Sequence, residues 1–307
     1  MRRMVNTGGK FEIKLFVQES SSPKWIQSFK YEFFPALGWS DSLTSCRKKV
    51  KNVSQEIDAY FEQLIEEHIS KNHQQDDTRK DFLDLLLQGQ KEYNTSRDNI
   101  KALLMNIFVG GTDTPAITIE WAMAELIKKP DTMKKAQEEV RRVVGSKPNV
   151  QEEEHVHQTE YLRCVLKETL RLHPPISMLL PCVSYTNTKV NGYDIPANTR
   201  VHINAHAIQR DPDLWDKAEE FIPERFSTDN IDFRCQDCKF MPFGAGRRTC
   251  HGMSFSLPVV ELVIANLLFH FDWKLPSDVK ELDMGEVPDM NANGRLPLHL
   301  VSIICSS

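Results

Sequence analysis

A chain of 307 residues is long enough for one large domain or two small ones with an ample core. Its net charge of −5 gives no reason to expect a nucleic-acid partner, and 40% hydrophobic with 26% charged residues is the balance of an ordinary globular protein. Seven cysteines, an odd number without a framework-like spacing, point to reduced thiols in a cytosol-facing compartment and away from a disulfide scaffold.

In chain order, Met1-Arg2-Arg3-Met4 has charge but no apolar run behind it, so it does not read as a signal peptide. No segment reaches the ~18 continuous apolar residues of a membrane span. Residues 1–45 are weakly patterned, with a break at Ser20-Ser21-Ser22-Pro23 and an aromatic cluster from Tyr31 to Trp39. Val50, Val53, Ile57, Phe61, Leu64 and Ile65 then recur at helical spacing and predict a long amphipathic helix. A polar linker over 70–80 and a short helix around Phe82 to Leu87 follow. Residues 96–129 read as one long, largely apolar helix, interrupted at Gly110-Gly111-Thr112-Asp113-Thr114-Pro115. A proline inside a helix costs ~3 kcal/mol relative to alanine and frees the carbonyl four residues before it, here that of Gly111, so a bend or widened turn is expected. Asp113 and Thr114 place an acid and an alcohol beside that unpaired backbone. The segment alone fits either a proton relay or a packing kink.

Asp131 to Val144 predicts a surface helix closed by Gly145 and Pro148, and acidic Gln151 to Glu154 a short turn. Tyr161 to Leu172 is a firm helix stopped by His173-Pro174-Pro175. Glu168 and Arg171 share one face of it, a spacing that by itself means a surface ion pair of little worth. Cys182 to Ile208 has the texture of short strands, with a hairpin turn at Asn191-Gly192 and a strand at Val201-His202-Ile203. Ser254 to Phe271 is helical; its run from Leu257 contains Glu261, Asn266 and His270 and reads as a core helix. The tail from Pro276 is rich in turns, with Leu298 to Val301 a closing strand. There is no internal repeat, and the class is mainly α with small β-sheets.

The densest chemistry is Phe243-Gly244-Ala245-Gly246-Arg247-Arg248-Thr249-Cys250-His251-Gly252. Gly244 and Gly246 let the backbone turn tightly and approach a ligand, which a Cβ would prevent. Cys250 just precedes a helix, where free N–H groups and the positive dipole end favour a thiolate. A thiolate is the axial ligand with which a haem iron cleaves O–O bonds. Two other readings stand beside this one. An isolated cysteine in a glycine-rich turn is ordinarily a small hydrophobe. Cys235-x-x-Cys238 with Cys250-His251 superficially offers a structural zinc site, although adjacent Cys and His do not easily reach one tetrahedral ion and Phe240 to Phe243 is apolar for an exposed knuckle.

The spacing Phe243-x-x-Gly246-x-Arg248-x-Cys250-x-Gly252 resembles the haem-ligand signature of the cytochrome P-450 family. Three further elements follow the family's order: Asp113-Thr114 in the long helix, Glu168-x-x-Arg171, and Pro223-Glu224-Arg225-Phe226. Phrases such as Thr118 to Leu126 look like plant microsomal members. The resemblance implies a cytochrome P-450 fold truncated at the N-terminus, with residues 1–307 a single partial haem-thiolate monooxygenase domain. It is identified on a C-terminal portion only, covering nearly all of this chain and somewhat more than half of a full-length member. The membrane anchor, hinge and early helices are then expected to be missing. By the same resemblance Cys250 binds the iron of haem (iron protoporphyrin IX), Phe243 shields the sulfur, and Gly246 and Gly252 admit the cofactor. Arg248 holds a propionate, and Asp113 and Thr114 deliver protons. Glu168, Arg171 and Arg225 form a buried charge network under the loop. Ile176 to Leu180 and the helix face with Phe108 and Gly111 line a substrate pocket. The implied partners are an NADPH-dependent flavoprotein reductase, O2 and a small apolar plant secondary metabolite. The implied place is the cytosolic face of the endoplasmic reticulum membrane, or the cytosol if an anchor-less chain is complete. The alternative is an inert, truncated fragment. The chain departs from the pattern at Pro115, at Cys182 where an arginine is common, at His251, and at Pro258, which is expected to bend its helix. These leave Arg248 as the main propionate partner.

Overall fold

The computed structural model describes residues 5–7, 10–14, 46–72, 81–151, 155–228, 231–234, 238–287 and 291–305. The Ser20–Pro23 break, the Tyr31–Trp39 cluster, most of the polar linker, the acidic residues 152–154 and Cys235 lie outside the described residues. The chain divides into two compact units, one of residues 20–112 and one of residues 1–19 with 113–307.

The smaller unit contains helix α1 (Cys46–Asn72), helix α2 (Phe82–Tyr93) and the first half of helix α3 (Arg97–Lys128). Ile65, Leu83 and Ile100, one from each helix, form its centre, with Ile69, Leu86, Leu87 and Leu104 packed around them. Arg97 on α3 pairs with Glu62 and Glu66 of α1, and Lys101 pairs with Asp58 and Glu62. Helix α2 runs longer than its apolar pattern predicts. It begins in a capping box, in which the Asp81 carboxylate accepts from the Asp84 N–H and the Asp84 carboxylate from the Asp81 N–H, and it ends on Asn94 at φ 50°.

Helix α3 is a single α-helix through Gly110, Gly111 and Pro115, so the expected interruption is not a break in secondary structure. The hydroxyl of Thr112 donates to the Phe108 carbonyl and that of Thr118 to the Thr114 carbonyl, supplying side-chain donors on either side of the proline. The half after Pro115 is buried almost throughout, from Ile117 to Leu126. Helical stability in proteins comes mostly from such packing, which outweighs the local propensity.

In the larger unit this half of α3 joins helices α4 (Pro130–Val144), α5 (Glu160–Leu172) and α8 (Met253–His270) around one core containing Met123, Leu126, Val140, Leu162, Leu166, Ile264 and Leu268. The α4 face bearing Met133, Ala136, Val140 and Val144 is buried at a spacing of three and four. Its Glu139 carboxylate accepts from the free N–H groups of Tyr161 and Leu162 at 2.9 Å each and so caps α5. By length and mean hydropathy α3 and α8 would each suffice to cross a membrane. The α8 carboxylate of Glu261 nevertheless pairs with Arg163 of α5, and the helix runs continuously through Pro258.

Three sheets complete the unit. The largest has the order β1 (Val5–Thr7), β2 (Lys10–Lys14), β8 (His299–Ile304), β7 (Phe271–Lys274), antiparallel throughout, with Glu12 opposite Val301 and Trp273 opposite Ser302. Strand β7 follows α8 without a loop. Strands β3 (Cys182–Val183) and β6 (Arg200–Val201) form one two-stranded sheet, so the strand expected at Val201 to Ile203 begins and ends earlier. Strands β4 (Thr188–Val190) and β5 (Tyr193–Ile195) form another, turned by Asn191 and Gly192 at φ 50° and 85°. Two successive positive φ values match the twist of a two-residue hairpin, and Asn-Gly is the pair that adopts them at least cost. Short helices α6 (Ala205–Ile208) and α7 (Arg225–Thr228) lie between the sheets and the cysteine loop in sequence. The fold is mainly α-helical with small β-sheets.

Leu268→Ala, at a fully buried position, is expected to lower the unfolding free energy by about 2–5 kcal/mol, whereas Tyr185→Ala, at an exposed one, changes it by less than about 0.5 kcal/mol. Urea denaturation of both variants checks this contrast.

Candidate functional site

The site is built from the C-terminal end of α5. Glu168 and Arg171 are both 0% exposed. Arg171 faces the Glu168 carboxylate side-on, Nε to Oε2 at 2.7 Å and Nη2 to Oε1 at 2.9 Å. Its remaining N–H groups donate to the carbonyls of Gln209 (2.8 Å), Ala218 (2.7 Å) and Glu220 (3.1 Å). Glu168 Oε1 also accepts from Arg225 Nε at 3.0 Å and from the Ile222 N–H at 2.8 Å. Arg225 in turn donates to the Asp216 carbonyl at 2.9 Å. The structure therefore brings Glu168, Arg171 and Arg225 together, and the spacing that alone would mean a surface pair here belongs to the most buried charges among the described residues. Trp215 lies under this cluster, with the guanidinium carbons of Arg171 and Arg225 5.2 and 5.8 Å from its ring centre.

A residue that sequence reasoning missed carries the network onward. Gln209, fully buried, donates from its amide nitrogen to the carbonyls of Leu170 and Arg171 (3.0 and 3.1 Å), and its Oε1 accepts from the Met241 N–H at 2.8 Å. Its only signal in the sequence is a polar residue placed four after Ala205, on the buried side of α6. From Met241 the chain enters the cysteine loop. The Gly244 N–H donates to the Met241 carbonyl at 3.0 Å and the Cys250 N–H to the Phe243 carbonyl at 2.9 Å, which closes the loop on itself. Phe240 is buried against Phe226 and Phe233, and Phe243 meets Phe233 edge-on at 6.0 Å.

Gly244 and Gly246 have φ of 73° and 69°, the left-handed region that a side chain disfavours. A short 3-10 turn over Gly246–Arg248 follows, with Thr249 donating from backbone and hydroxyl to the Gly246 carbonyl. Cys250 is a free, exposed thiol, Arg247, Arg248 and His251 are exposed, and α8 starts three residues after Cys250, with Gly252 as its N-cap. A Cβ on Gly252 would stand 3.7 Å from the Cys250 sulfur, and one on Gly244 4.0 Å from Leu179 Cδ1. Exposed apolar side chains are near in sequence: Phe255 and Val259 one turn apart on α8, and Met178, Leu180 and Val183 in the stretch before and within β3. Cys182 is exposed. Asp113 and Thr114 are half-buried at the middle of α3, outside the hydrogen-bonded path that joins Glu168 to Cys250. Phe108 is exposed and Gly111 half-buried on the first half of α3. Cys238, exposed at φ 57°, is the described member of the cysteine pair weighed for zinc.

One accessible sulfur on this loop, glycines four residues before and two after it, an arginine two residues before and exposed apolar side chains near in sequence fit a flat, anionic, metal-bearing macrocycle better than a tetrahedral ion. The model of the family described as Cytochrome P450 matches residues 2–297. The chain belongs to the cytochrome P450 family. The match corrects the reading that confined the likeness to a C-terminal portion, since it takes in essentially the whole chain. Among relatives, the chain is 47% identical over 283 residues to cytochrome P450 71A1 of Persea americana, covering 89% of this chain and 56% of that protein. It is 48% identical over 282 residues to desmethylyatein synthase of Sinopodophyllum hexandrum, covering 90% and 57%. The chain thus spans a little over half the length of the curated relatives it matches. In structure it is similar to a zebra fish cytochrome P450 determined with abiraterone, with a TM-score of 0.70 and 27% identity over 82% of this chain and 59% of that one.

Arg171→Ala would strand Glu168 and three carbonyls and is expected to cost roughly 3–5 kcal/mol. Gln209→Ala, which unpairs the Met241 N–H, is expected to cost about 1–3 kcal/mol. Chemical denaturation monitored by circular dichroism orders the two; a Gln209→Ala cost equal to zero would remove that residue from the path.

Proposed function

We propose that residues 1–307 act as a haem-thiolate domain of a P450 monooxygenase that inserts one oxygen atom from O2 into a small apolar plant metabolite. Electrons come from NADPH through a flavoprotein reductase, at the cytosolic face of the endoplasmic reticulum membrane. The observation that carries the reading is the state of Cys250: an exposed thiol on a loop anchored by seven hydrogen bonds of a fully buried Arg171–Glu168 cluster and by its Gln209 extension. A free thiol exposed for no purpose would not need such a base. The relatives' membership of one plant P450 group supports the class of reaction and of substrate.

In this reading the Cys250 sulfur would hold the iron of haem. When bound, haem supplies the activation of O2, driven by electron donation from that sulfur. Every other role belongs to the chain. α8 begins three residues after Cys250, so the positive end of its dipole lies at the segment that carries the sulfur and favours an anionic ligand there. Phe243, locked by Phe233, screens the sulfur from water on the core side. Gly246 and Gly252 leave room for a planar group, and Arg248 offers a planar fork to a propionate. Asp113 and Thr114 hold and pass protons at the turn of α3 where Pro115 leaves the Gly111 carbonyl without its usual donor. Ile176 to Leu180 line the substrate side.

Reconstituted with haem, reduced and exposed to CO, the chain is expected to show the Soret band of thiolate ligation. Cys250→Ala abolishes that band while Cys238→Ala leaves it intact. Equal effects of the two substitutions, or no band in the native chain, would overturn the proposal.

A further inference from the structure

Three cations gather around one indole in the stretch between α6 and α7. Trp215 is buried there, 4% exposed. The guanidinium carbons of Arg171 and Arg225 and the ammonium of Lys239 lie 5.2, 5.8 and 5.3 Å from its ring centre. The ring face attracts cations, which accounts for their approach. Glu168 serves both arginines, so two positive charges share one buried carboxylate and Lys239 adds a third.

Two donors of this group are unspent. The indole N–H of Trp215 is buried and has no acceptor among the described residues. Arg225 donates from Nε to Glu168 at 3.0 Å, from Nη1 to the Asp216 carbonyl at 2.9 Å, and from Nη2 to the Lys217 and Glu220 carbonyls at 3.4 Å each. A guanidinium carries five N–H groups, so the second hydrogen on Nη1 has no acceptor among the described residues. Buried donors are almost always satisfied, and each exception calls for a partner from outside the fold.

A cavity of about 300 Å³ opens at the same place, at the small end of the roughly 300–1,000 Å³ that small-molecule sites occupy. Leu214, Trp215 and Ile222 give it an apolar wall; Arg225, Lys239 and Thr228 give it a polar one. Asp216 is the one acidic residue among the described residues that line it, and the Asp216 carbonyl is already taken by Arg225. Two cations against one carboxylate select an anion, and the planar fork of a guanidinium suits a carboxylate. An indole and two aliphatic side chains select an apolar body over a bare inorganic ion. We propose that this cavity binds a small organic carboxylate with a flat apolar body, which lies against Trp215 and Ile222 while its oxygens supply acceptors to Arg225, Lys239 and the Trp215 indole.

No lining residue belongs to the Phe243–Gly252 loop or to the Ile176–Leu180 segment, so the ligand taken here is not the substrate of the proposed function. The cavity nevertheless borders the support of the loop. Arg225 is bonded to Glu168, and Lys239 stands two residues before Met241, whose N–H Gln209 holds. A carboxylate on Arg225 adds a charge-assisted bond at the outer end of that network. A ligand that binds only the folded chain also stabilises it by mass action.

Benzoate is the probe, and benzamide, of nearly the same shape but uncharged, is the control. In nitrogen-15 spectra of the full chain, assigned with Trp215→Phe, benzoate is expected to move the Trp215 indole N–H downfield and saturably, and benzamide to leave it in place. Lys239→Gln, which removes the charge, is expected to weaken benzoate binding by roughly tenfold or more, whereas Lys189→Gln, on the exposed strand β4, leaves it unchanged. Should Trp215→Phe fail to fold, the rise in thermal midpoint that benzoate gives the native chain, reduced in Lys239→Gln and kept in Lys189→Gln, reads the same site. No saturable effect of benzoate, an equal effect of benzamide, or equal affinities in the two lysine variants would overturn the proposal. None of these readouts involves haem, so failure here leaves the proposed function standing, and failure of haem ligation leaves the carboxylate site standing.

Discussion

An arginine and a glutamate shut completely away from water are the constraint on which the larger unit depends. Removing two charges from solvent costs several kcal/mol each, and their mutual attraction offsets that only when every remaining donor and lone pair is used. Here all five N–H groups of Arg171 are used, and the Glu168 carboxylate accepts four hydrogen bonds. Arg171 spends N–H groups on Glu168 and on three carbonyls, and Glu168 accepts in addition from Arg225 and the Ile222 N–H. The consequence is geometric. The stretch from Gln209 to Arg225 has hardly any regular structure of its own, yet its carbonyls must lie where one guanidinium points. Irregular chain thereby acquires a single conformation without a helix or sheet to hold it.

The order so created passes to the cysteine loop by one side chain. Gln209 reads the end of α5 with its amide nitrogen and the start of the loop with its oxygen, and below it Phe226, Phe233 and Phe240 fill the space between. Past that point the loop is closed by its own backbone bonds and by two glycines in a conformation other residues resist. Rigid support beneath and an accessible thiol above are what a protein needs when it must present one sulfur to a bulky planar group while keeping the rest of its backbone satisfied.

Much of this could be read from residue order. The glycine spacing around Cys250, the Asn191-Gly192 hairpin and the amphipathic faces of α1 and α4 each follow from local chemistry that leaves one good solution. What could not be read was burial. Glu168 and Arg171 at a separation of three look identical on an exposed helix and in a core; only carbonyls from residues 38 to 49 positions later make the difference. Gln209 is silent for the same reason. Pro115 invites an interruption, yet the helix continues, because its second half gains more from burial than one missing N–H costs. Helix α2 outran its apolar pattern because its ends are set by Asp81 and Asn94, caps that periodicity does not count.

Hydrogen exchange at single backbone amides tests the central claim most directly. In the native chain the Met241 and Cys250 N–H groups should be protected, and Arg171→Lys, which keeps the charge but loses the planar fork, should expose both together while amides of Ile264 and Leu268 in α8 keep their protection. If Arg171→Lys leaves Met241 and Cys250 as protected as before, the buried pair does not hold the cysteine loop and the account is wrong.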